Sequence, residues 1–521
     1  MSNGKIEKGK KGLFQLIYGR TLIVILMILM QVGLLIAFYQ FLQGYVIYVY
    51  GASIALAAVV LLHIINDETN PTYKMVWIIP ILVVPLFGVL LYLYTHLQIE
   101  IRLLTKRHAG LIKETRIFLE QEKEVLEDLE KEDTHVASTA KYLCEYGGYP
   151  AYINSRVKYF PLGEDKFEEM KIQLKRAKHF IFMEYFIIQE GYMWNSVLEI
   201  LEEKVKEGVE VRVMYDGMCC MVLLPYHYPD ELKKKGIKCK MFSPIVPALS
   251  TYQNNRDHRK ILVIDGFTAF TGGVNLADEY INKKERFGHW KDTAVMIQGD
   301  AVKSFTLMFL QMWNITEKQP ENYMQYVHWC EKRKGEVLED GYVIPYADSP
   351  LDKENVGEQV YFDIIHQACS YVHIMTPYLI LDNEMMVALT HAAKRGVDTV
   401  IIMPHIPDKV YAFWLAKTYY KELLEAGVKI YEYTPGFVHA KVFVSDDEKA
   451  VVGSINLDFR SLYLHFECAS YFYKNSEIFQ MERDFQNTLK KCQEITLEDC
   501  KKQPALQRIC GSVLRLIAPL M

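Results

Sequence analysis

The chain has 521 residues, enough for two or three domains that each bury a core, and half of those residues are hydrophobic. Lys and Arg number 59 against 64 Asp and Glu, a net charge of −5, so no overall basic field favours a nucleic acid. The ten cysteines form no CxxC pair and no zinc-like spacing with histidine, which argues against a zinc ribbon or a disulfide framework and for reduced, structural thiols.

In chain order, residues 21–65 hold no ionisable side chain besides His63 and tyrosines. One bilayer crossing takes about 20 apolar residues, so this stretch predicts two helices with the polar break at 40–44 between them. A third span is expected from about Met75 to Thr95, with Pro80 and Pro85 inside it. A cleaved signal peptide has an apolar core of only about 7–15 residues, so the run reads as an anchor. The charges around it conflict. Lys5, Lys8, Lys10, Lys11 and Arg20 precede the first span, while Arg102, Lys106, Arg107, Lys113 and Arg116 follow the last. Basic flanks stay in the cytoplasm, and three full spans cannot keep both there. Either one segment does not cross completely or one flank disobeys. The expectation is a multi-pass cell-membrane protein whose catalytic region is cytoplasmic.

Residues 98–132 are charged, rich in Glu, Lys and Leu, and free of proline, which predicts a solvated surface helix leading away from the bilayer. The chain beyond it repeats itself. The segment Ala177-Lys178-His179-Phe180-Ile181-Phe182-Met183-Glu184-Tyr185-Phe186 is echoed by Cys369-Ser370-Tyr371-Val372-His373-Ile374-Met375-Thr376-Pro377-Tyr378. Each copy leads into a periodic helix, a glycine (Gly208, Gly396) and a second strand, the pattern of a βαβ unit. The fold class is α/β, and the expected divisions are an anchor at 1–97, a charged helical linker at 98–149, two similar α/β domains at 150–335 and 336–500, and an amphipathic tail at 501–521. The tail docks on the protein or lies in a membrane interface, with docking slightly favoured.

Each half carries the motif H-x-K-x4-D-x6-G-[GS]-x-N. The first copy is His258, Lys260, Asp265, Gly272, Gly273 and Asn275; the second is His439, Lys441, Asp446, Gly453, Ser454 and Asn456, each offset by 181 positions. Alternation along a strand puts His and Lys on one face and the apolar neighbours on the other. An imidazole beside a fixed cation suits a phosphate group, the small residues let backbone approach closely, and the Asn amide can donate to a phosphoryl oxygen. A lone H-x-K is more often an edge strand with two outward polar residues. Two copies in matching half-domains reverse that judgement.

The doubled motif resembles that of the phospholipase D superfamily, over roughly residues 70–521, and within it the chain is most similar to bacterial cardiolipin synthases. Supporting features are Asn70-Pro71-Thr72-Tyr73-Lys74-Met75-Val76-Trp77 leading into Pro85-Leu86-Phe87-Gly88, the run Tyr431-Glu432-Tyr433, Asn456-Leu457-Asp458-Phe459-Arg460-Ser461, and the C-terminal Leu514-Arg515-Leu516-Ile517-Ala518-Pro519-Leu520. The resemblance implies two phospholipase D-like domains behind transmembrane helices, with one active site between them. It implies phosphatidyl transfer through a phosphohistidine: one motif histidine, His258 by preference, attacks, and His439 serves as acid and then base, although the order is not legible. Lys260, Lys441, Asn275 and Asn456 would hold the phosphoryl oxygens, and Glu467 and Asp292 would each orient a histidine. Asp265 and Asp446 are counted with the catalytic set, with a role bracing a loop as the alternative. Glu184, Tyr185, Asp216, Tyr378 and Asp408 are candidates to line the lipid pocket, although a satisfied structural role is the more usual reading of each one taken alone. No metal or cofactor is implied, and the expected partners are phosphatidylglycerol and cardiolipin in the membrane, without nucleic acid; the oligomeric state is not legible. A phosphatidylserine synthase or hydrolytic phospholipase D would use the same site, a nuclease of the superfamily would be a soluble protein, and a non-catalytic scaffold would not need both motifs intact.

Overall fold

Asn70 and Pro71 open a helix as physical chemistry dictates: the Asn70 Oδ1 accepts the Thr72 N–H at 2.9 Å, and the fixed φ of proline suits a first turn. In the computed structural model, which describes residues 33, 37, 45–96, 99–218, 223–244, 254–317, 319 and 321–520, this helix runs Pro71–Val83 and a second follows at once, Pro85–His96. Val84, the residue before a proline, leaves helical geometry at φ −137°, ψ 79°. The expected continuous span at 75–95 is therefore corrected to two short helices. With 13 and 12 residues they reach only about 20 and 18 Å, short of a hydrocarbon core of about 30 Å. They fold against each other. A Cβ on Gly88 would lie 2.6 Å from Ile81 Cα, so glycine permits the approach.

Helix Val46–Asn66 packs on this hairpin, with Ala57, Val60 and Ile64 against Ile81, Val89 and Tyr92. Its residues Ile47–Asn66 are the one segment, among the described residues, long and apolar enough to cross a bilayer. The first helix of the expected pair and the break at 40–44 lie outside the described residues. These helices belong to one compact unit, Met1–Arg102 with Ile245–Asn254; a second comprises Leu103–Pro244 with Asn255–Met521.

The second unit holds two sheets with one design. The first is built from β1 (Ser155–Phe160), β2 (Phe180–Tyr185), β3 (Glu210–Asp216), β4 (Lys238–Phe242), β6 (Lys260–Ile264), β7 (Thr268–Gly272) and β9 (Ala294–Gly299), in the order β1-β9-β7-β6-β2-β3-β4. The other uses β10 (Tyr342–Asp348), β11 (Tyr371–Met375), β12 (Asp398–Pro404), β13 (Lys429–Tyr433), β15 (Val442–Ser445), β16 (Lys449–Gly453), β17 (His465–Tyr473) and β18 (Cys492–Ile495), in the order β10-β17-β16-β15-β11-β12-β13-β18. Position for position the orders coincide, with β18 added at one edge. Strands β2, β3 and β4 are parallel, as are β11, β12 and β13, and the rest pair antiparallel. The crossover helices Tyr192–Lys206 and Asn383–Lys394 both stop at a left-handed glycine, Gly208 at φ +88° and Gly396 at +92°. Helix Val302–Asn314, buried along nearly its whole length, packs on β2, β6, β7 and β9 and also reaches β10.

The expected solvated linker is corrected too. Residues 99–142 form three helices, Ile99–Thr115, Lys123–Glu132 and Thr134–Tyr142, with a break between the first two. Val125, Leu129, Val136 and Ala140 are buried. Arg107 donates to Asn314 O at 3.0 Å, and Thr139 Oγ1 donates to Asp363 at 2.8 Å. The charged surface concealed apolar positions at helical spacing that are buried, and the first and third helices meet helices Val302–Asn314 and Val356–Gln367. The C-terminal helix Ala505–Leu516 docks, as slightly favoured, through Gly511 on Trp414.

Candidate active site

Each motif histidine sits just before its strand, not within it as alternation along a strand would have it: β6 begins at Lys260 and β15 at Val442. What holds the histidines is the opposite half of the repeat. Short strand β5 (Arg256–Asp257) pairs in parallel with β17, and His258 N donates to Phe466 O at 2.9 Å. Likewise β14 (Gly436–Val438) pairs in parallel with β8 (His289–Lys291), and His439 N donates to Lys291 O at 2.7 Å.

The carboxylates cross over in the same way. Glu467 lies 2.8 Å (Oε1) and 3.0 Å (Oε2) from His258 Nδ1, and Asp292 Oδ2 lies 2.7 Å from His439 Nδ1. An acid from each half thus serves the histidine of the other. A carboxylate on Nδ1 fixes the tautomer with the proton there, leaving Nε2 as the basic nitrogen. The small residues make room for these acids. A Cβ on Gly273 would run into Asp292 Oδ1, whereas Ser454 Oγ donates to Glu467 Oε2.

Both histidines line one cavity of about 530 Å³. Lys260 and Lys441 are buried behind them, each Nζ donating to the carbonyl of its own motif histidine. Burial lowers the Lys260 ammonium to about 8 and Lys441 to about 7, with neighbouring carboxylates opposing the fall. Burial also lowers both imidazoles: His258 well below its usual value, helped by Lys260 and Lys441, and His439 to about 4, helped by Lys441 and opposed by Asp292. The wall thus holds imidazoles that favour the neutral form beside ammonium groups lowered toward neutrality.

Asn275 and Asn456 line the same cavity. Asn275 is oriented by Ile187 N donating to its Oδ1 at 3.0 Å and by its own Nδ2 donating to Tyr280 OH at 2.9 Å, which leaves a second amide N–H. The wall mixes Phe186, Trp290 and Tyr411 with the cations Arg286, Lys409 and Arg460. An anionic group joined to apolar chains fits that lining.

The remaining expectations divide. Tyr378 and Asp408 line the cavity and are bonded to each other at 2.6 Å. Glu184, Tyr185 and Asp216 do not: Glu184 is buried near Arg259, Tyr185 accepts from Lys166, and Asp216 faces Arg256. Asp265 and Asp446 are absent from the cavity wall. Both have left-handed backbone, and their carboxylates accept the N–H groups of Lys178, His179 and Phe180, and of Cys369, Ser370 and Tyr371, at 2.7–2.9 Å. This geometry corrects the catalytic reading of both in favour of bracing the entry to β2 and β11.

Sequence reasoning missed His465. Its ring lies 5.4 Å from that of His258, it lines the cavity, and burial lowers it to about 4. The signal was present, since it stands two positions before Glu467 on β17 and so shares its face. Ligand atoms of His258, His465 and Glu467 lie within 4.8 Å of one another, a spacing able to hold a metal ion, but the Glu467 oxygens are already engaged by His258 and Ser454.

A sequence profile described as cardiolipin synthase, phospholipase D-like domain, matches residues 170–313 and 361–489, and one described as phospholipase D–nuclease N-terminal matches 55–94. An uncharacterised protein of Streptococcus mutans is 53% identical over 88% of this chain and 99% of its own length. A cardiolipin synthase of Halalkalibacterium halodurans is 30% identical over 96% of this chain and 99% of its own, and one of Alkalihalophilus pseudofirmus is 33% identical over 87% and 90%. Among solved structures, the phosphatidylserine synthase of Haemophilus influenzae superposes with a TM-score of 0.54 at 14% identity, covering 70% of this chain and 95% of its own, a likeness of fold. With both motifs present, their histidines on one cavity and these relatives aligned nearly end to end, the chain belongs to the cardiolipin synthase family of the phospholipase D superfamily.

Proposed function

We propose that this chain makes cardiolipin by moving a phosphatidyl group from one phosphatidylglycerol to another, releasing glycerol. The observation that carries this reading is the crossed pair of His–carboxylate contacts, His258 with Glu467 and His439 with Asp292, on one cavity. His258 Nε2 attacks the phosphorus of the first lipid, and the bond from phosphorus to the glycerol oxygen breaks. His439, protonated once the phosphodiester anion has entered, gives its proton to that oxygen, and glycerol leaves. The terminal hydroxyl of a second phosphatidylglycerol then surrenders its proton to His439 and attacks phosphorus, and the bond to His258 breaks. Lys260, Lys441, Asn275 and Asn456 hold the phosphoryl oxygens as charge builds on them. Asp265 and Asp446 hold strand entries. Neither metal nor cofactor enters these steps.

In this reading the two sheets belong to two similar domains, near 150–335 and 336–500, with the site between them. In the same reading the anchor is multi-pass, and the hairpin of 71–96 offers a topology that accommodates both basic flanks. If it dips into the bilayer and returns, only two segments cross, at about 21–40 and 46–66, and both basic flanks face the cytoplasm with the site. The short lengths of the two hairpin helices support this.

The test is to incubate membranes containing the full chain with labelled phosphatidylglycerol. Labelled cardiolipin together with free glycerol supports the proposal. Phosphatidic acid as the main product would replace it with hydrolysis, and transfer to serine in preference would replace it with phosphatidylserine synthesis.

A further inference from the structure

The C-terminal helix Ala505–Leu516 has two faces, and only one is used by the protein. Gly511 is buried, and a Cβ there would lie 2.9 Å from Trp414 O and 2.7 Å from a Thr418 methyl. Arg515 extends over the Tyr419 ring at 4.6 Å. The opposite face is apolar and open to solvent: Leu506 is 69% exposed, Ile509 63%, Val513 58% and Leu516 58%, with Ile517 at 45% just beyond. Those positions follow helical spacing, so they form one stripe rather than scattered side chains. A soluble helix would carry charge on that face.

Charge says what covers the stripe. Residues 500–521 contain Lys501, Lys502, Arg508 and Arg515 and no acidic residue. Lys501, Lys502, Arg508 and Arg515 are exposed. Helix Ala505–Leu516 carries Arg508 and Arg515 and no acid, while Glu498 and Asp499 just before it offset Lys501 and Lys502. The stripe therefore lies beside a basic excess that complements an anionic bilayer surface, where the stripe enters the acyl boundary and the cations meet lipid phosphates. A second copy of the chain would oppose these cations with identical ones.

The position of the helix gives the contact a purpose. Its partner helix, Val410–Glu425, begins at the cavity: Lys409, Tyr411 and Ala412 line the wall, and Val410 and Tyr411 are 53% and 49% exposed. Gly511 meets both Trp414 and Thr418 and Arg515 reaches Tyr419, so the C-terminal helix rests on the helix that begins at the cavity.

We infer that the Leu506–Ile509–Val513–Leu516 face is a docking surface for a bilayer rich in anionic phospholipid, distinct from the N-terminal anchor, and that it sets the cavity mouth against the lipid layer. The surface stands on its own observations; its service to the cavity rests on the function proposed above.

The test places a photo-crosslinking amino acid at Ile509, at Val513, or at Ile172, an exposed apolar residue on helix Gly163–Arg176. The full chain is reconstituted in vesicles of phosphatidylglycerol and phosphatidylcholine. Adducts with lipid are expected at 509 and 513 and not at 172. Yields should be about fivefold lower in phosphatidylcholine alone, the effect of losing the attraction of roughly one basic residue for anionic lipid. Adducts with a second protein chain, or equal lipid labelling at all three positions, overturn the inference. This readout needs no turnover, so it separates failure of the surface from failure of the proposed reaction. A second variant, Ile509→Gln with Val513→Gln, is expected to process long-chain phosphatidylglycerol in vesicles about tenfold more slowly while short-chain, monomeric phosphatidylglycerol is processed at the parent rate. An equal loss on both substrates would assign the face to folding and overturn the inference.

Discussion

Glu467 holds both carboxylate oxygens within 3.0 Å of the His258 Nδ1, although the two residues stand 209 positions apart and belong to opposite halves of the repeat. The contact between Asp292 and His439 reverses the arrangement, spanning 147 positions. Among the described residues, neither motif histidine is paired with an acid of its own half. Any change that separates the halves therefore disarms both histidines at once.

Glu467→Gln and Asp292→Asn keep the shape of each acid but remove the charge that steadies the opposite imidazole. Each is expected to lower turnover of phosphatidylglycerol by roughly a thousandfold, in the manner of an orienting acid in a catalytic triad. His258→Ala should lower it further, by about 10⁴-fold or more, because no nucleophile remains. Steady-state rates on labelled phosphatidylglycerol, with circular dichroism to show retained folding, check both. Equal and small losses across the set would place the chemistry elsewhere.

The lowered lysines predict the alkaline limb. Burial holds the Lys441 ammonium down at about 7 and that of Lys260 at about 8. The phosphodiester anion binds the ammonium forms, so above these values binding must also take up protons. The sign is that kcat/KM for phosphatidylglycerol falls as pH rises through about 7 to 8. Lys441→Arg carries a guanidinium that stays charged, so the same limb should move upward by about one pH unit, even if the maximum rate is lower. A pH–rate profile that does not move with this substitution refutes the assignment.

Gly273 is held small by Asp292. A Cβ at that position would overlap Oδ1 of the carboxylate, so Gly273→Ser must displace the acid that orients His439. Overpacking of this kind costs about 1–3 kcal/mol of stability. The loss of activity should exceed what that predicts, approaching the loss in Asp292→Asn. Thermal melts and rates of the two variants, measured side by side, decide the point.

His465 sits beside His258 as a neutral, buried ring. His465→Ala opens space next to the proposed phosphohistidine, and water entering there competes with the lipid acceptor. The ratio of cardiolipin to phosphatidic acid should fall about tenfold, a shift of about 1.4 kcal/mol between the two acceptors. Product analysis on thin layers measures that ratio, and an unchanged ratio would leave His465 a packing residue.

The sequence by itself determined what was local or repeated. The two motifs and the glycine stops at 208 and 396 were legible, because periodicity, caps and a 181-residue offset need no knowledge of distant partners, whereas Glu467 and Asp292 came only from the family resemblance. The tertiary structure decided which acid serves which histidine, since pairing of β5 with β17 and of β8 with β14 brings together residues that no spacing connects. It also separated Asp265 and Asp446 from the site. A turn places their carboxylates over the backbone N–H groups that begin β2 and β11, and that competition between neighbours is settled only in space. The charged helices at 99–142 and the hairpin at 71–96 show the same limit: hydropathy reports how apolar a segment is, whereas burial depends on what folds against it.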